Sequence, residues 1–345
     1  MRTQTLRFVS DYVSRCCNGY NSRTSWVSAR HSRKYSSSYS IAVKERNILF
    51  DEEKERQRQS IGRIEKIEVK YKGVPENVIL GMNKGISTPF HCAQHMSTML
   101  VERSALACVN GELWDMHKPL EEDCDLLLLH FRDADPFHLN KAFWRTCSFL
   151  LGATVMNLFK EHVSVKLHSF PSPNVKSGSF VYDVDLNLND WKPTKDELRV
   201  ISAAMVKLTH DASHSEEKLK IDRLDVKEDL ALQMFHDNEH KTKQIPLIAS
   251  SSNGNLVTLY RFKDHIDISR GPMIANSAFI GRCTIAAVHK IESECSHLYR
   301  FQGVALPCGI KINHFAYGIL EERAKKLNHA WLPRRRRMEV GVAAG

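Results

Sequence analysis

Between Lys66 and Phe131 the chain switches from alternating apolar and polar positions to helical spacing, and then back to alternation. Ile67-Glu68-Val69-Lys70-Tyr71 has the period of a strand with one buried face. Pro75-Glu76-Asn77 supplies a turn before the apolar pair Val78 and Ile79. Ser87-Thr88-Pro89 is a helix start, and Cys92, Met96, Met99 and Leu100 continue from it at helical spacing. Ala105–Val109 and Leu113-Trp114-Asp115 flank Asn110-Gly111, a dipeptide suited to the positive φ angles of a tight hairpin. Asp125 to Phe131 is then a buried closing strand. Strand, strand, helix, hairpin and strand predict a small β-grasp unit over residues 66–132.

A larger α+β unit is expected over residues 136–305. Phe143 to Phe159 is an apolar helix, and Phe180 to Leu186 alternates as a strand. Thr194, followed three places on by Glu197, marks a capped helix start. Leu224 to Asn238 has the pattern of an amphipathic helix, followed by a strand pair around Ser252-Asn253-Gly254-Asn255. Two flanking segments complete the picture. Residues 36–65 form a charged arm, with a short helix over 44–59 whose apolar cluster Ile48, Leu49 and Phe50 is too thin for a core. Residues 306–345 hold a helix from Phe315 to Leu327 and an arginine-rich tail.

Charge changes the picture at the ends only. The 345 residues carry a formal net charge of +9, and residues 1–35 account for +6 of it, seven cations against Asp11 alone. An arginine- and serine-rich, acid-poor opening with Leu6, Val9 and Val13 at helical spacing is the composition of a mitochondrial transit peptide. The expected location is the mitochondrial matrix. No apolar run approaches the ~20 residues that cross a bilayer. The nine cysteines contain no Cys-x-x-Cys pair, so free thiols in a reducing compartment are expected rather than disulfides or a zinc ribbon.

Local chemistry adds little. His91 and His95 have the i,i+4 spacing of a metal-binding helix, but no further ligand pair accompanies them. Gly81-Met82-Asn83-Lys84-Gly85 lacks the ending that cradles phosphates and reads as a tight turn. No cofactor and no small-molecule substrate are expected.

Two resemblances carry the functional reading. Val109-Asn110-Gly111-Glu112-Leu113 and Leu120-Glu121-Glu122-Asp123 resemble the ubiquitin-like TGS module that opens threonyl-tRNA synthetase. Arg145-Thr146-Cys147-Ser148-Phe149-Leu150-Leu151-Gly152 and Ile266 to Met273 resemble two motifs of that enzyme's editing domain. There the motifs read His-x-x-x-His before Leu-Leu-Gly, and Cys-x-x-x-His around Arg-Gly-Pro. Here the four chemical positions hold Arg145, Phe149, Ser269 and Met273, none of which replaces an imidazole or a thiolate.

The order of the two units, with no counterpart to the aminoacylation domain after Leu327, resembles the synthetase-like large-subunit proteins of mitochondrial ribosomes. That resemblance implies a non-catalytic structural component contacting ribosomal proteins and rRNA. A free-standing tRNA-binding or tRNA-editing protein and a nucleotide-binding regulator are the alternatives. Arg145 and Arg270 stand in or beside the former pocket, either satisfied within the domain or gripping a phosphate. Trp331 and Arg334-Arg335-Arg336-Arg337 form the remaining candidate contact with RNA or a partner.

Overall fold

The computed structural model describes residues 37–160, 163–210, 219–252, 254–292 and 297–330. The expected transit segment, Trp331 and Arg334–Arg337 lie outside them.

Alternation in the first unit becomes a five-stranded sheet. Its strands are β1 (Lys66–Tyr71), β2 (Val78–Asn83), β3 (Leu106–Val109), β4 (Glu112–Trp114) and β5 (Cys124–Leu129), in the order β2-β1-β5-β3-β4. The two middle strands, β1 and β5, run parallel. Asn110 and Gly111 turn β3 into β4 at φ 50° and 87°. The expected single helix is two: α2 (Pro89–Met96) and α3 (Thr98–Arg103). Ser97 is extended, and its hydroxyl accepts from Leu100 N, so it ends one helix by capping the next. Val69, Cys92, Leu100 and Leu126 form this unit's core.

The second unit is also α+β and is built on two sheets. One is four-stranded, ordered β11-β12-β7-β6, from β6 (Val165–Ser169), β7 (Phe180–Leu186), β11 (Ile280–Lys290) and β12 (Leu298–Pro307). Helices α4 (Phe137–Met156) and α5 (Lys195–Thr209) pack on it. Thr194 and Glu197 cap α5 reciprocally, as the sequence predicts. The other sheet is β10-β9-β8, from β8 (Asp222–Lys227), β9 (Leu256–Phe262) and β10 (His265–Ile268). Helices α6 (Glu228–Met234) and α7 (Glu239–Ser250) pack near it. Helix α8 (His314–Ala324) packs against β11 and β12.

Two sequence readings are corrected here. Leu224 to Asn238 is not one helix: it begins as strand β8, with Leu224 and Val226 on its buried face, and turns helical only at Glu228. The expected strand pair turns at Lys263 and Asp264, between β9 and β10, whereas α7 ends at Ser250 and β9 begins only at Leu256. The charged arm also does more than expected. Helix α1 (Ser37–Gln59) buries Phe50 fully in one core cluster with Leu224, Val226, Leu259 and Ile266. Arg261 covers the ring with its guanidinium 4.3 Å from the centroid. Burying one phenylalanine stabilises by roughly 2–3 kcal/mol, enough to fix an otherwise polar helix. Its neighbour Ile48 is 56% exposed, so the cluster contributes through Phe50 and the half-buried Leu49, which packs against the same core.

Candidate functional site

Helix α4 is buried continuously from Ala142 to Val155, with both units packed around it. Positions i and i+4 share a helix face, so Arg145 and Phe149 look the same way. They face the end of β10 and the loop that follows, where Ser269 and Met273 lie. The structure therefore brings all four degenerate positions to one place.

Each is occupied by packing or by backbone. Arg145 is 9% exposed, and its Nη1 donates to Pro272 O at 2.9 Å. Burial lowers its pKa, against the pull of Tyr260 and Asp115. Ser269 is equally buried, and its Oγ accepts from Gly271 N at 3.3 Å. Phe149 and Met273 are essentially inaccessible and belong to the main core. Phe149 lies against the ring of His265, with centroids 4.9 Å apart. Arg270, in contrast, is exposed and reaches Ser251 Oγ at 3.0 Å.

The scaffold residues of the two motifs now have physical reasons. A Cβ on Gly152 would lie 2.6 Å from the Tyr182 ring, so glycine lets β7 approach α4. Gly271 takes φ 65°, and a Cβ there would lie 1.9 Å from Tyr260 Oη. Behind each tyrosine sits a buried polar cluster. Tyr260 Oη donates to Asp115 Oδ2 at 2.8 Å, Arg223 Nε approaches the same oxygen at 3.2 Å, and Met273 N donates to Asp115 Oδ1 at 2.8 Å. Burial raises the Asp115 pKa despite Arg223 and these donors. Asp115 follows β4, so the cluster ties the β-grasp unit to the larger one.

The second cluster joins Tyr182, Lys241 and Asp267. Tyr182 Oη donates to Asp267 Oδ2 at 2.5 Å, and Lys241 Nζ stands 2.5 Å from Asp267 Oδ1. Burial raises the Asp267 pKa, but Lys241 and His265 outweigh it and the carboxyl ends below its ordinary value. His265, two residues away on the same side of β10, is pushed down to about 4, mainly by burial. Its Nε2 is enclosed and has no hydrogen-bond partner.

Sequence reasoning missed Asp115, Tyr182, Arg223, Lys241, Tyr260, His265 and Asp267 as site members. Asp267 had a signal, a lone acid between Ile266 and Ile268 in an apolar strand. Lys241 had none, because α7 was not foreseen. The other tempting positions resolve simply. His91 Nδ1 accepts from Thr88 N at 3.2 Å and closes a capping box on α2. Gly85, at φ 69°, turns the chain after β2. Among the described residues no group of three or more His, Cys, Asp or Glu could hold a metal ion, and six cysteines are free thiols. No described helix is long and apolar enough to cross a membrane.

Known proteins resemble the chain in two ways. The profile of the TGS domain matches residues 73–130. Large ribosomal subunit protein mL39 of Drosophila melanogaster is 51% identical over 319 residues, which covers 90% of this chain and 94% of that protein. A threonine–tRNA ligase of Thermotoga maritima is 30% identical over 225 residues, and the cytoplasmic threonine–tRNA ligase 1 of Homo sapiens is 25% identical over 250. The chain spans 31% of the length of each of these two ligases.

Proposed function

The chain belongs to the mL39 family of large ribosomal subunit proteins, and from that premise we propose how it works: as a block of the mitochondrial large subunit with no chemistry of its own. It is a structural ribosomal component of the mitochondrial matrix, with ribosomal proteins and rRNA as neighbours.

The observation that carries the non-catalytic part is the occupancy of the former pocket. Removing a mischarged amino acid needs a base or a metal to activate water beside the ester. Arg145 has no lone pair and is held by Pro272 O, Ser269 is held by Gly271 N, and Phe149 and Met273 fill space. His265 keeps an unpartnered ring nitrogen, but burial lowers its pKa to about 4 and Phe149 packs against its ring. Lys241 and Asp267 neutralise each other in full burial and leave no charge facing a substrate. The pocket survives as a packed joint. Contacts with RNA fall to surface groups such as Arg270 and to the Arg334–Arg337 run.

Two measurements test this. Sedimentation of matrix extract on a sucrose gradient should place the protein with the large subunit, and recovery only among small free proteins would refute the ribosomal role. Incubation with seryl-tRNA bearing the threonine anticodon should leave the ester as stable as in buffer. Faster hydrolysis would return the chain to the enzymes.

A further inference from the structure

Strand β11 is an edge strand, with β12 its neighbour in the sheet. Which of its backbone groups face outward follows from the ladder. Ile291 N donates to Leu298 O, so that pair exchanges hydrogen bonds and every second pair after it does too. His289 and Ala287 are therefore bonded to Arg300 and Gln302. Val288 and Lys290 turn their N–H and C=O groups away from the sheet. The neighbouring ladder agrees: Leu186 N donates to His297 O, which assigns Tyr299 and Phe301 to β7 and leaves Arg300 and Gln302 for β11. Past the irregularity at Ala286, Ile285 N also points outward and is already taken by Ser202 Oγ at 2.8 Å.

This edge is not bare. It forms the floor of a groove of about 900 Å³ lined by the seven consecutive residues Thr284–Lys290. Leu198, Arg199 and Ser202 of α5 wall it on one side, and Glu321 of α8 with Lys325 at that helix's C-cap on the other. Lys192, Lys195, Arg199, Lys290 and Lys325 line it against only Asp190 and Glu321, a formal excess of three positive charges. Lys290 is paired with Asp190, Arg199 with Asp196 and Lys325 with Glu322, while Lys192 and Lys195 are exposed and have no ion pair among the described residues.

We propose that this slot takes an extended acidic segment of a neighbouring protein, which adds to β11 as a strand opposite Val288 and Lys290. Strand addition matches the groups on offer, since two outward N–H and two outward C=O groups need a partner that both donates and accepts. A phosphate backbone only accepts, and would leave the two carbonyls unpaired. Base stacking has no platform either. Trp191, the groove's aromatic residue, is already packed against Phe159, Tyr299 and Phe301. The excess of cations at the walls selects acidic side chains at the ends of the added strand.

The inference uses the ribosomal reading only to say where the partner is found. Val288→Pro removes one outward donor and leaves the bonds to β12 intact, because position 288 does not bond across that ladder. In gradients of matrix extract, the share of this variant in the large subunit should fall at least fivefold while its melting temperature stays within about 3 °C of the parent. Unchanged incorporation would overturn the slot; absence of the parent protein itself from the subunit would overturn the ribosomal role instead. Should Val288→Pro fail to fold, the surface pair Lys192→Glu and Lys195→Glu replaces it, with the same fall expected and the same unchanged result refuting. A photo-reactive p-benzoylphenylalanine at position 192 then reads the occupant in isolated subunits. An adduct cleaved by protease and carrying an acidic peptide of another chain supports the proposal. One cleaved by ribonuclease, one to a basic peptide, or one to this chain's own tail overturns it.

Discussion

Lys241 and Asp267 meet at 2.5 Å, with side chains only 3% and 1% exposed, where two strands and a helix converge. A pair so deeply buried stabilises little against an apolar equivalent, but breaking it strands a charge. Lys241→Ala should therefore cost about 3–5 kcal/mol in urea unfolding at pH 7. Lys241→Met combined with Asp267→Leu should cost much less, because both charges leave together. If the double variant proves as damaged as the single one, the pair is not acting through its charges.

Acid should weaken this fold before its carboxylates titrate. Among the described histidines that burial lowers, three are displaced furthest: His265 and His168 to about 4, and His117 to about 3. Each binds its proton in the unfolded chain near pH 6.5 but not in the folded one, so the stability it contributes is complete above that pH and is lost as pH falls. Between about pH 6 and 4.5 each histidine adds up to about 1.4 kcal/mol per pH unit to the slope. Asp267, whose folded pKa is also lowered, extends the loss below the ordinary carboxylate range. Unfolding free energy measured from pH 7.5 to 4.5 should fall steeply, and His265→Gln should remove up to one proton from the slope. A flat profile would contradict this account.

Gly271→Ala tests the joint between the units. The new methyl meets strained backbone at φ 65° and stands 1.9 Å from Tyr260 Oη, whose hydroxyl is held by Asp115. The loss should exceed about 3 kcal/mol, combining left-handed strain with overpacking. Tyr260→Phe removes the obstructing oxygen, so the double variant should recover part of it. Strict additivity of the two losses would place the clash elsewhere.

How much of this could be read in the chain depended on whether the signal was local. Thr88, Thr194 and the Asn110-Gly111 turn act within four residues, and each does what its type prescribes. The four degenerate positions were legible for the same reason, two short motifs with side chains that cannot do the expected chemistry. Helix α7 was missed because Pro246 sits inside it, and with it went Lys241. The β9–β10 turn was missed because its positive φ falls on Lys263, a residue that gives no turn signal. Phe50 read as part of a patch too thin for a core because its partners, Leu224 and Ile266, lie far along the sequence. Such long-range burial has no periodicity to betray it.

The excess positive charge of the chain gathers at its two ends. Residues 1–35 hold six of the nine excess positive charges, and residues 331–345 hold the other three, four arginines against Glu339. The body between them is formally neutral. A chain lacking residues 1–35 should thus owe nearly all its sequence-independent affinity for RNA to Arg334–Arg337. With a single-stranded uridine oligonucleotide as probe, four neutralised phosphates contribute about 3 to the slope of log affinity against log salt. Changing all four arginines to alanine should remove most of that slope and leave urea stability unaltered. Retention of the full salt dependence would move the RNA contact onto the folded body, with Arg270 as the first residue to change.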